Sequence, residues 1–188
     1  SARLQKFDSD PIVLTNELKQ ELRRLHQPDD YEGGGPCLSF EIGPQLNGTR
    51  EFIISADGIK CAFYLARELA AGAPKVAGWK ISALITPKKV EKLLAEYTFE
   101  SDDVWFGTVE YDGTTRVSLF IRSLPHAWEV DLSFPRWFLL YLLGEETFGS
   151  RISYFDVAAL PPNPQKWGLR PISELRDYIE GAELSRAG

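Results

Sequence analysis

Residues 38–87 decide the fold, and they read LSFEIGPQLNGTREFIISADGIKCAFYLARELAAGAPKVAGWKISALITP. Apolar and polar side chains alternate from Leu38 to Ile42, which is typical of a strand with one buried face. Asn47-Gly48 is a residue pair that favours a tight hairpin turn, so Arg50 to Ser55 is predicted to be the return strand. The stretch therefore begins with a β-hairpin.

The register of this hairpin requires one extra residue. With a plain two-residue turn, Ile42 would lie opposite Ile53, and both faces of the hairpin would be partly apolar. Glycine favours bulges and proline cannot donate a hydrogen bond to the ladder. Gly43-Pro44 therefore predicts a β-bulge.

The remaining periodicities predict elements on either side of this hairpin. Helical spacing predicts a helix over 59–71, and Thr86-Pro87 predicts the start of another helix that reaches Tyr97. Alternation around Asp112-Gly113 predicts a second hairpin over 103–123. The other expected elements are an N-terminal helix over 10–27, a loop with Gly33-Gly34-Gly35, strands over 79–85 and 127–132, an apolar helix over 134–143 ended by Gly144, a strand over 151–160 with Ile152, Tyr154 and Phe155 inward, and a last helix over 172–180.

These elements predict one α+β domain over residues 1–188. Its sheet is expected to be mainly antiparallel, built from two hairpins plus flanking strands and packed on one face by about five helices. The chain is 44% hydrophobic, which supplies enough apolar material for a core.

Charge and hydropathy argue against two classes of partner. The net charge is −6, and no run of Lys or Arg is longer than two residues, so the basic surface of a nucleic-acid binder is not expected. No segment approaches the roughly 18–20 apolar residues of a membrane span. The first residues lack a secretory signal pattern, which predicts a cytoplasmic protein.

The sequence offers little for catalysis or metal binding. Cys37 and Cys61 are too few for a disulfide framework, and we expect buried, reduced thiols. His26 and His126 have no cysteine or carboxylate at metal-ligand spacing, so we expect no metal and no cofactor. Carboxylate pairs could share acid and base roles, although such acids are usually solvated. The pairs and single acids considered are Glu41 with Glu51, Asp102-Asp103, Glu145-Glu146 and Asp156.

Tryptophan supplies the expected binding surface. The chain has five tryptophans, and these side chains anchor interfaces as well as cores. Trp105 alternates off the apolar face of its strand and Trp167 follows a proline-rich segment, so both are expected to be exposed. The candidate binding residues are Trp105, Trp167, Glu145, Glu146 and Asp156.

Residues 48–60, which read GTREFIISADGIK, resemble a group of uncharacterised bacterial proteins. The resemblance extends to Ala73-Pro74-Lys75, to Gly78-Trp79, to residues 142–145 and to residues 169–175, and so covers most of the chain after residue 37. It departs from the group at Cys61-Ala62-Phe63 and at Glu146. The resemblance implies a bacterial cytosolic protein, and it carries over no catalytic residue.

Three functions are compatible with these observations. The first is a non-catalytic module that binds another protein through an acidic and partly aromatic surface, of which an inhibitor or immunity-like protein is one form, since acidic charge speeds association with a basic partner. The second is an enzyme or binding protein for a small molecule, with a carboxylate-lined pocket that includes Glu145 and Asp156. The third is a subunit of a homo-oligomer. We expect the first, and the composition leans against an enzyme.

Overall fold

The computed structural model describes residues 38–124 and 132–184, together with Asn16 and Gln20. The fold is α+β, with five α-helices and two mixed sheets in the described residues. The chain divides into two compact units, Ser1–Ile85 and Thr86–Gly188. The single domain that the sequence predicts stays a prediction. Several predictions fall outside the described residues: most of the N-terminal helix, the triple-glycine loop, residues 127–131 of the strand predicted over 127–132, Cys37, His26 and His126.

Within residues 38–85, the first unit contains a three-stranded sheet and one helix. Its elements are β1 (Ser39–Leu46), β2 (Thr49–Ser55), a 3-10 turn (Lys60–Ala62), α1 (Phe63–Ala71) and β3 (Trp79–Ala83). The strand order is β1-β2-β3, in which β1 and β2 are antiparallel and β2 and β3 are parallel. The parallel pair corrects the expectation of a mainly antiparallel sheet. Helix α1 carries the chain back along the sheet, so β3 runs in the same direction as β2.

The predicted bulge is confirmed. Asn47 and Gly48 have φ angles of 50° and 76°, as a tight hairpin turn requires. The register shifts between Ile42 and Gln45, so that Ile42 pairs with Phe52 rather than with Ile53. The extra residue therefore brings the apolar side chains of the two strands to the same face.

That face packs on helix α1. Phe40 and Phe52 are stacked with ring centroids 5.2 Å apart, and Phe63 and Ala66 are buried against the same cluster. Burial of this apolar surface is the main stabilising contribution to the unit. The buried members of the cluster are Leu38, Phe52, Ile54, Ala56, Ala62, Phe63, Ala66 and Leu84.

Glu51 forms a polar cluster on the opposite face of this sheet. Its Oε1 accepts hydrogen bonds from Lys80 Nζ at 2.9 Å and from Ser82 Oγ at 3.0 Å. The hydrogen bond from Lys80 lowers the pKa of Glu51, and it outweighs burial, which acts in the opposite direction.

We expect Glu51→Gln to lower the free energy of unfolding by about 0.5–1 kcal/mol at pH 7, because the pair is partly exposed. The folded pKa of Glu51 lies below the unfolded value of about 4.3, so this stabilisation is present above that value and is lost as the pH falls through the folded pKa. Urea unfolding at several pH values should show the difference between wild type and variant closing below about pH 4. Glu68→Gln, at an exposed carboxylate on α1, is the control and should show no such dependence on pH. If the free energies of unfolding of wild type and Glu51→Gln still differ at low pH, the Glu51–Lys80 pair is not the cause of the difference.

Within residues 86–124 and 132–184, the second unit contains a four-stranded sheet and four helices. Its strand order is β6-β5-β4-β7, with β5 and β6 parallel and the other neighbours antiparallel. The elements are α2 (Val90–Glu96), β4 (Val104–Tyr111), β5 (Thr114–Ile121), α3 (Ser133–Leu143), α4 (Glu145–Arg151), β6 (Ile152–Ala159), a 3-10 turn (Pro164–Trp167), β7 (Arg170–Pro171), a 3-10 turn (Ile172–Glu174) and α5 (Leu175–Leu184).

The core of this unit lies on one face of its sheet. The expectation of a buried apolar helix is confirmed, because Phe138, Leu139 and Leu140 of α3 are fully buried. Tyr97 and Phe134 meet edge to face with centroids 5.0 Å apart. The other fully buried apolar side chains of the unit include Val104, Val117, Leu119, Ile121, Ile172 and Leu175.

Two predicted details of this unit are wrong. Helix α2 begins at Val90, with Lys89 rather than Thr86 at its N-cap and with no side-chain cap. Tyr154 faces outward, because the register between β5 and β6 shifts after Thr115: Thr115 pairs with Ile152, whereas Arg116 pairs with Tyr154. Ser153 is thus an extra residue in β6, and a bulge of this kind turns the following side chain to the other face. Phe155 faces inward, as expected, and its ring lies 5.8 Å from that of Phe148.

The end of α3 is held by two local arrangements. Gly144 has φ 80° and ψ 153°, and it lies directly against Pro87. Arg176 of α5 donates hydrogen bonds to the carbonyl oxygens of Leu142 and Lys88, the former from Nε at 3.1 Å. Lys88 also donates its backbone N–H to Tyr141 O at 2.7 Å. These contacts join the segment before α2 to the last turn of α3.

Among the described residues, no helix combines the length and the apolar character that crossing a bilayer requires.

Candidate functional site

The outer face of the second sheet, opposite its core, carries a row of side chains across three strands. Val109 of β4 pairs with Arg116 of β5, and Arg116 pairs with Tyr154 of β6. Paired residues in a sheet point to the same face. Tyr111 lies two residues beyond Val109 and shares this face, and the guanidinium of Arg116 lies 4.8 Å from the centroid of its ring. We call these four side chains, Val109, Tyr111, Arg116 and Tyr154, the open face.

The open face is strongly exposed for its composition. Val109 is 64%, Tyr111 61% and Tyr154 52% exposed, although each is a large apolar or aromatic side chain. A cleft of about 400 Å³ beside it is lined by Tyr111, Asp112, Thr114, Arg116, Ser153 and Tyr154. The bulge at Ser153 therefore contributes both to the cleft and to the outward position of Tyr154.

The charged side chains around the open face make no ion pair within the described part of the chain. The guanidinium of Arg116 stacks on Tyr111 but makes no hydrogen bond or ion pair there, and the carboxylates of Asp112 and Asp156 make none either. Asp156 pairs with Ser118, so it is a diagonal neighbour of Arg116 on the same face. The surface thus combines aromatic side chains with one unpaired cation and two unpaired anions.

The other half of the outer face is covered by the chain itself. A side-chain carbon placed on Gly107 would lie 3.1 Å from Leu169 Cδ2, so Gly107 leaves room for Leu169. The segment continues into β7, where Pro171 pairs with Trp105. Trp105 is consequently only 7% exposed, and its Nε1 donates a hydrogen bond to Asp102 O at 3.0 Å. The expectation that Trp105 is exposed is therefore wrong.

The other predicted site residues lie in different environments. Trp167 is 73% exposed, as expected. Glu145 is fully buried at the start of α4, whereas Glu146 beside it is exposed. Asp156, half-buried next to the open face, is the predicted site residue that the structure places there.

The described residues do not gather a catalytic set of acids. Glu51 is engaged by Lys80 and Ser82, and Asp103 accepts hydrogen bonds from Arg122 Nε and from the backbone N–H of Glu100, each at 2.9 Å. Neither the cleft beside the open face nor a second cleft of about 470 Å³ near the end of α2 is lined by Glu145 or Asp156. Within the described residues, no group of three or more His, Cys, Asp or Glu is placed to hold a metal ion.

Cys61 also differs from expectation. It forms no disulfide and is exposed, in the 3-10 turn before α1, rather than buried. Ala62 and Phe63, the next two residues, supply the buried side chains at this point. A helical stripe fixes which positions of a turn are buried, and Cys61 lies off that stripe.

Sequence reasoning missed four residues of this site, namely Val109, Tyr111, Arg116 and Tyr154. A signal for three of them was present, because they alternate with the buried positions of the second hairpin and must point away from the core. Tyr154 could not be found in this way, since the bulge at Ser153 reverses the alternation. Comparison of the chain with protein-family models, with curated proteins and with solved structures gives no significant match.

Proposed function

We propose that this protein is a non-catalytic protein-binding module, and that it binds its partner through the open face. The observation that carries the proposal is the exposed row of Val109, Arg116 and Tyr154, with Tyr111 stacked on Arg116. We propose as well that it is a bacterial protein, as the resemblance of residues 48–60 implies, and that it is located in the cytoplasm.

The composition of the open face supports this function. Tyrosine and arginine are enriched in the residues that dominate the binding energy of protein interfaces. Both tyrosines are held on rigid strands rather than on a loop, so little conformational entropy is lost when a partner covers them. Large apolar side chains exposed together on one face are typical of interaction sites.

The bulge at Ser153 supports it as well. A regular register would bury Tyr154 and expose Phe155 in its place, so the bulge exchanges a phenylalanine for a tyrosine at the surface. Tyrosine offers a hydroxyl as well as an apolar ring, which suits a surface that is wet in the free protein and covered in the complex. Bulges that re-aim a side chain in this way are commonly associated with functional sites.

The test is a matched capture experiment. Tagged wild-type protein and a Tyr111→Ser/Tyr154→Ser variant are used as baits in an extract of the native cell, and retained proteins are quantified by mass spectrometry. Each tyrosine is expected to contribute about 1–2 kcal/mol to binding, so the double variant should retain its partner at least about tenfold less.

Tyr64→Ser is the control bait, because Tyr64 on α1 is 66% exposed but lies in the other unit. It should retain the partner as wild type does. The proposal is wrong if the double variant retains every protein, an untagged copy of this chain included, as well as the wild-type and control baits do.

A further inference from the structure

We infer that the partner adds an extended segment of its own chain to the sheet at β6, with a lysine or arginine side chain beside Asp156. This inference rests on the proposed function, because it names the part of the partner that lies next to the open face. It is carried by three features of the free edge of β6, the side that faces away from β5. These are its backbone groups, its inward side chains and the carboxylate of Asp156.

The first feature is the row of backbone groups along the free edge. Within the described residues, β5 pairs with one side of β6 and no strand pairs with the other. Leu160 donates its backbone N–H to Ile121 O at 3.0 Å, and the ladder is regular over residues 154–159. Since backbone groups alternate in direction along a strand, those of the odd-numbered residues in this range point away from β5. An added strand presents donors and acceptors at the same two-residue spacing.

The free edge of β6 lacks the features that usually prevent such pairing. Exposed edge strands commonly carry lysine, proline or a bulge that keeps another strand from adding. The sequence of β6 is ISYFDVAA, without lysine or proline, and its bulge at Ser153 precedes the regular part. By contrast β1, an edge of the first sheet, contains both Pro44 and a bulge. The regular part of β6 is therefore open to a partner strand.

The second feature is the apolar strip on the inner side of the free edge. Phe155, Val157 and Ala159 pair with residues of β5 that are fully buried, yet Phe155 and Val157 are only half-buried and Ala159 is exposed. A strand added beside β6 would place every second side chain next to this strip. Apolar residues at those positions would complete its burial, so we expect the partner segment to alternate apolar and polar residues.

The third feature sets the charge of the segment. Asp156 is half-buried and makes no ion pair or hydrogen bond within the described residues, and its diagonal neighbour Arg116 stacks on Tyr111 instead. With Asp112 and Asp156 against Arg116, this surface has an excess of one negative charge. One basic side chain on the added strand would lie beside Asp156 and balance the charge. A second β6 would bring another Asp156 to the same face, where like charges are destabilising.

The probe is a library of random linear peptides of about twelve residues, longer than the regular part of β6, displayed on phage and selected on the immobilised full chain. We expect the enriched peptides to alternate apolar and polar residues and to share a lysine or arginine at one polar position. A selection that yields no binder, or binders without this pattern, would overturn the inference.

Val157→Pro tests whether a selected peptide pairs with the free edge. Proline removes the outward N–H of Val157 and puts ring atoms in its place, but it leaves the ladder with β5 intact, as it does in other edge strands. We expect the variant to bind the peptide at least about tenfold more weakly, as measured by fluorescence anisotropy. Val157→Ile is the matched control, because isoleucine keeps the N–H and the branched apolar shape, and it should bind as wild type does. Circular dichroism checks that both variants are folded.

Amide hydrogen exchange of the wild-type chain is a second test, which needs no variant. In the free protein, the amides of Phe155, Val157 and Ala159 should exchange faster than those of Asp156 and Ala158, and the peptide should slow exchange of the three outward amides at least about tenfold. A peptide that binds without protecting these amides, or that binds Val157→Pro as tightly as wild type, does not pair with β6, and the inference is then wrong.

A charge exchange tests the role of Asp156. Asp156→Lys should bind the selected peptide at least about tenfold more weakly, whereas the same peptide with its basic residue replaced by glutamate should bind Asp156→Lys better than wild type. Asp177→Lys, at an exposed carboxylate on α5, is the control and should leave both affinities unchanged. Equal binding of the original peptide to wild type and to Asp156→Lys would contradict the pairing of a basic side chain with Asp156.

The results separate this inference from the proposed function. If the cellular partner is lost from the Tyr111→Ser/Tyr154→Ser bait but retained by Val157→Pro, the open face binds a protein that adds no strand to β6, and only the inference is wrong. If Val157→Pro loses the partner and the tyrosine variant retains it, the free edge binds the partner without the open face, and only the proposed surface is wrong. Dimers of the wild-type chain that Val157→Pro abolishes would show that β6 pairs with a second copy, which also overturns the inference.

Discussion

Gly144→Ala is expected to lower the free energy of unfolding by about 3–5 kcal/mol. With φ 80° and ψ 153°, Gly144 occupies a region of backbone conformation that is accessible almost exclusively to glycine. A Cβ atom there would lie 2.7 Å from Pro87 Cδ and 2.9 Å from Pro87 Cγ, and the proline ring cannot rotate away. Strain and overpacking therefore act together, and denaturant unfolding followed by tryptophan fluorescence measures the sum.

Two further variants separate those causes. Gly168 has φ 71° but nothing within 4 Å of the position of its Cβ, so Gly168→Ala should cost only about 1 kcal/mol. Replacing Pro87 by alanine in the Gly144→Ala background removes the ring atoms and should recover part of the loss. Equal effects of Gly144→Ala and Gly168→Ala would show that the contact with Pro87 is not responsible.

Arg176→Met is expected to lower the free energy of unfolding by about 2–3 kcal/mol. The last carbonyl oxygens of a helix have no hydrogen-bond partner inside the helix. Arg176 donates a hydrogen bond to one of these in α3, the carbonyl oxygen of Leu142, and another to the carbonyl oxygen of Lys88 in the segment before α2. Methionine keeps the length of the side chain and removes the donors, so thermal and denaturant unfolding report mainly the lost hydrogen bonds.

Arg176→Lys tests the geometry of this contact. Lysine keeps the charge but lacks the planar fork that reaches two carbonyl groups, so the variant should recover about half of the loss. Arg170→Met is the control, because Arg170 is half exposed and lies 3.8 Å from Glu174; it should cost less than about 0.5 kcal/mol. A full recovery by lysine would indicate that charge alone stabilises the junction.

The sequence predicts those parts of the fold that depend on local pattern. The Asn47-Gly48 and Asp112-Gly113 turns, the bulge near Gly43 and the buried helix α3 all follow from residue types close together in the chain, because turn conformation and alternation are local constraints. Helix α5 follows from the stripe of Ile172, Leu175 and Ile179, each of which is buried.

The parts that it misses depend on contacts between distant segments. The strand periodicity of β3 or β6 does not show whether its neighbour is parallel, since that depends on the path of the connection. Burial of Trp105 depends on Leu169 and Pro171, which lie more than sixty residues later in the chain. No pattern within residues 103–123 indicates that a later segment of the chain will cover Trp105.

The candidate site was predictable to a similar degree. An aromatic surface with acidic neighbours was the right kind of surface to look for, and Asp156 lies beside it. Arg116 could have been identified from its place opposite the buried Val117 and Thr115, but its stacking on Tyr111 and its lack of an ion partner in the described residues depend on coordinates.

The two bulges also bear on how this chain tolerates changes in length. Each sheet contains one strand with an odd residue, near Gly43 in β1 and at Ser153 in β6. Deletion of the extra residue would leave a regular ladder with the same paired residues on the same faces, whereas deletion of another residue in these strands would shift the register and exchange apolar with polar groups on one side of it. Single-residue deletions at these two points should therefore be much less damaging than single-residue deletions elsewhere in β1 and β6, and homologous chains should differ in length there more readily than at other strand positions.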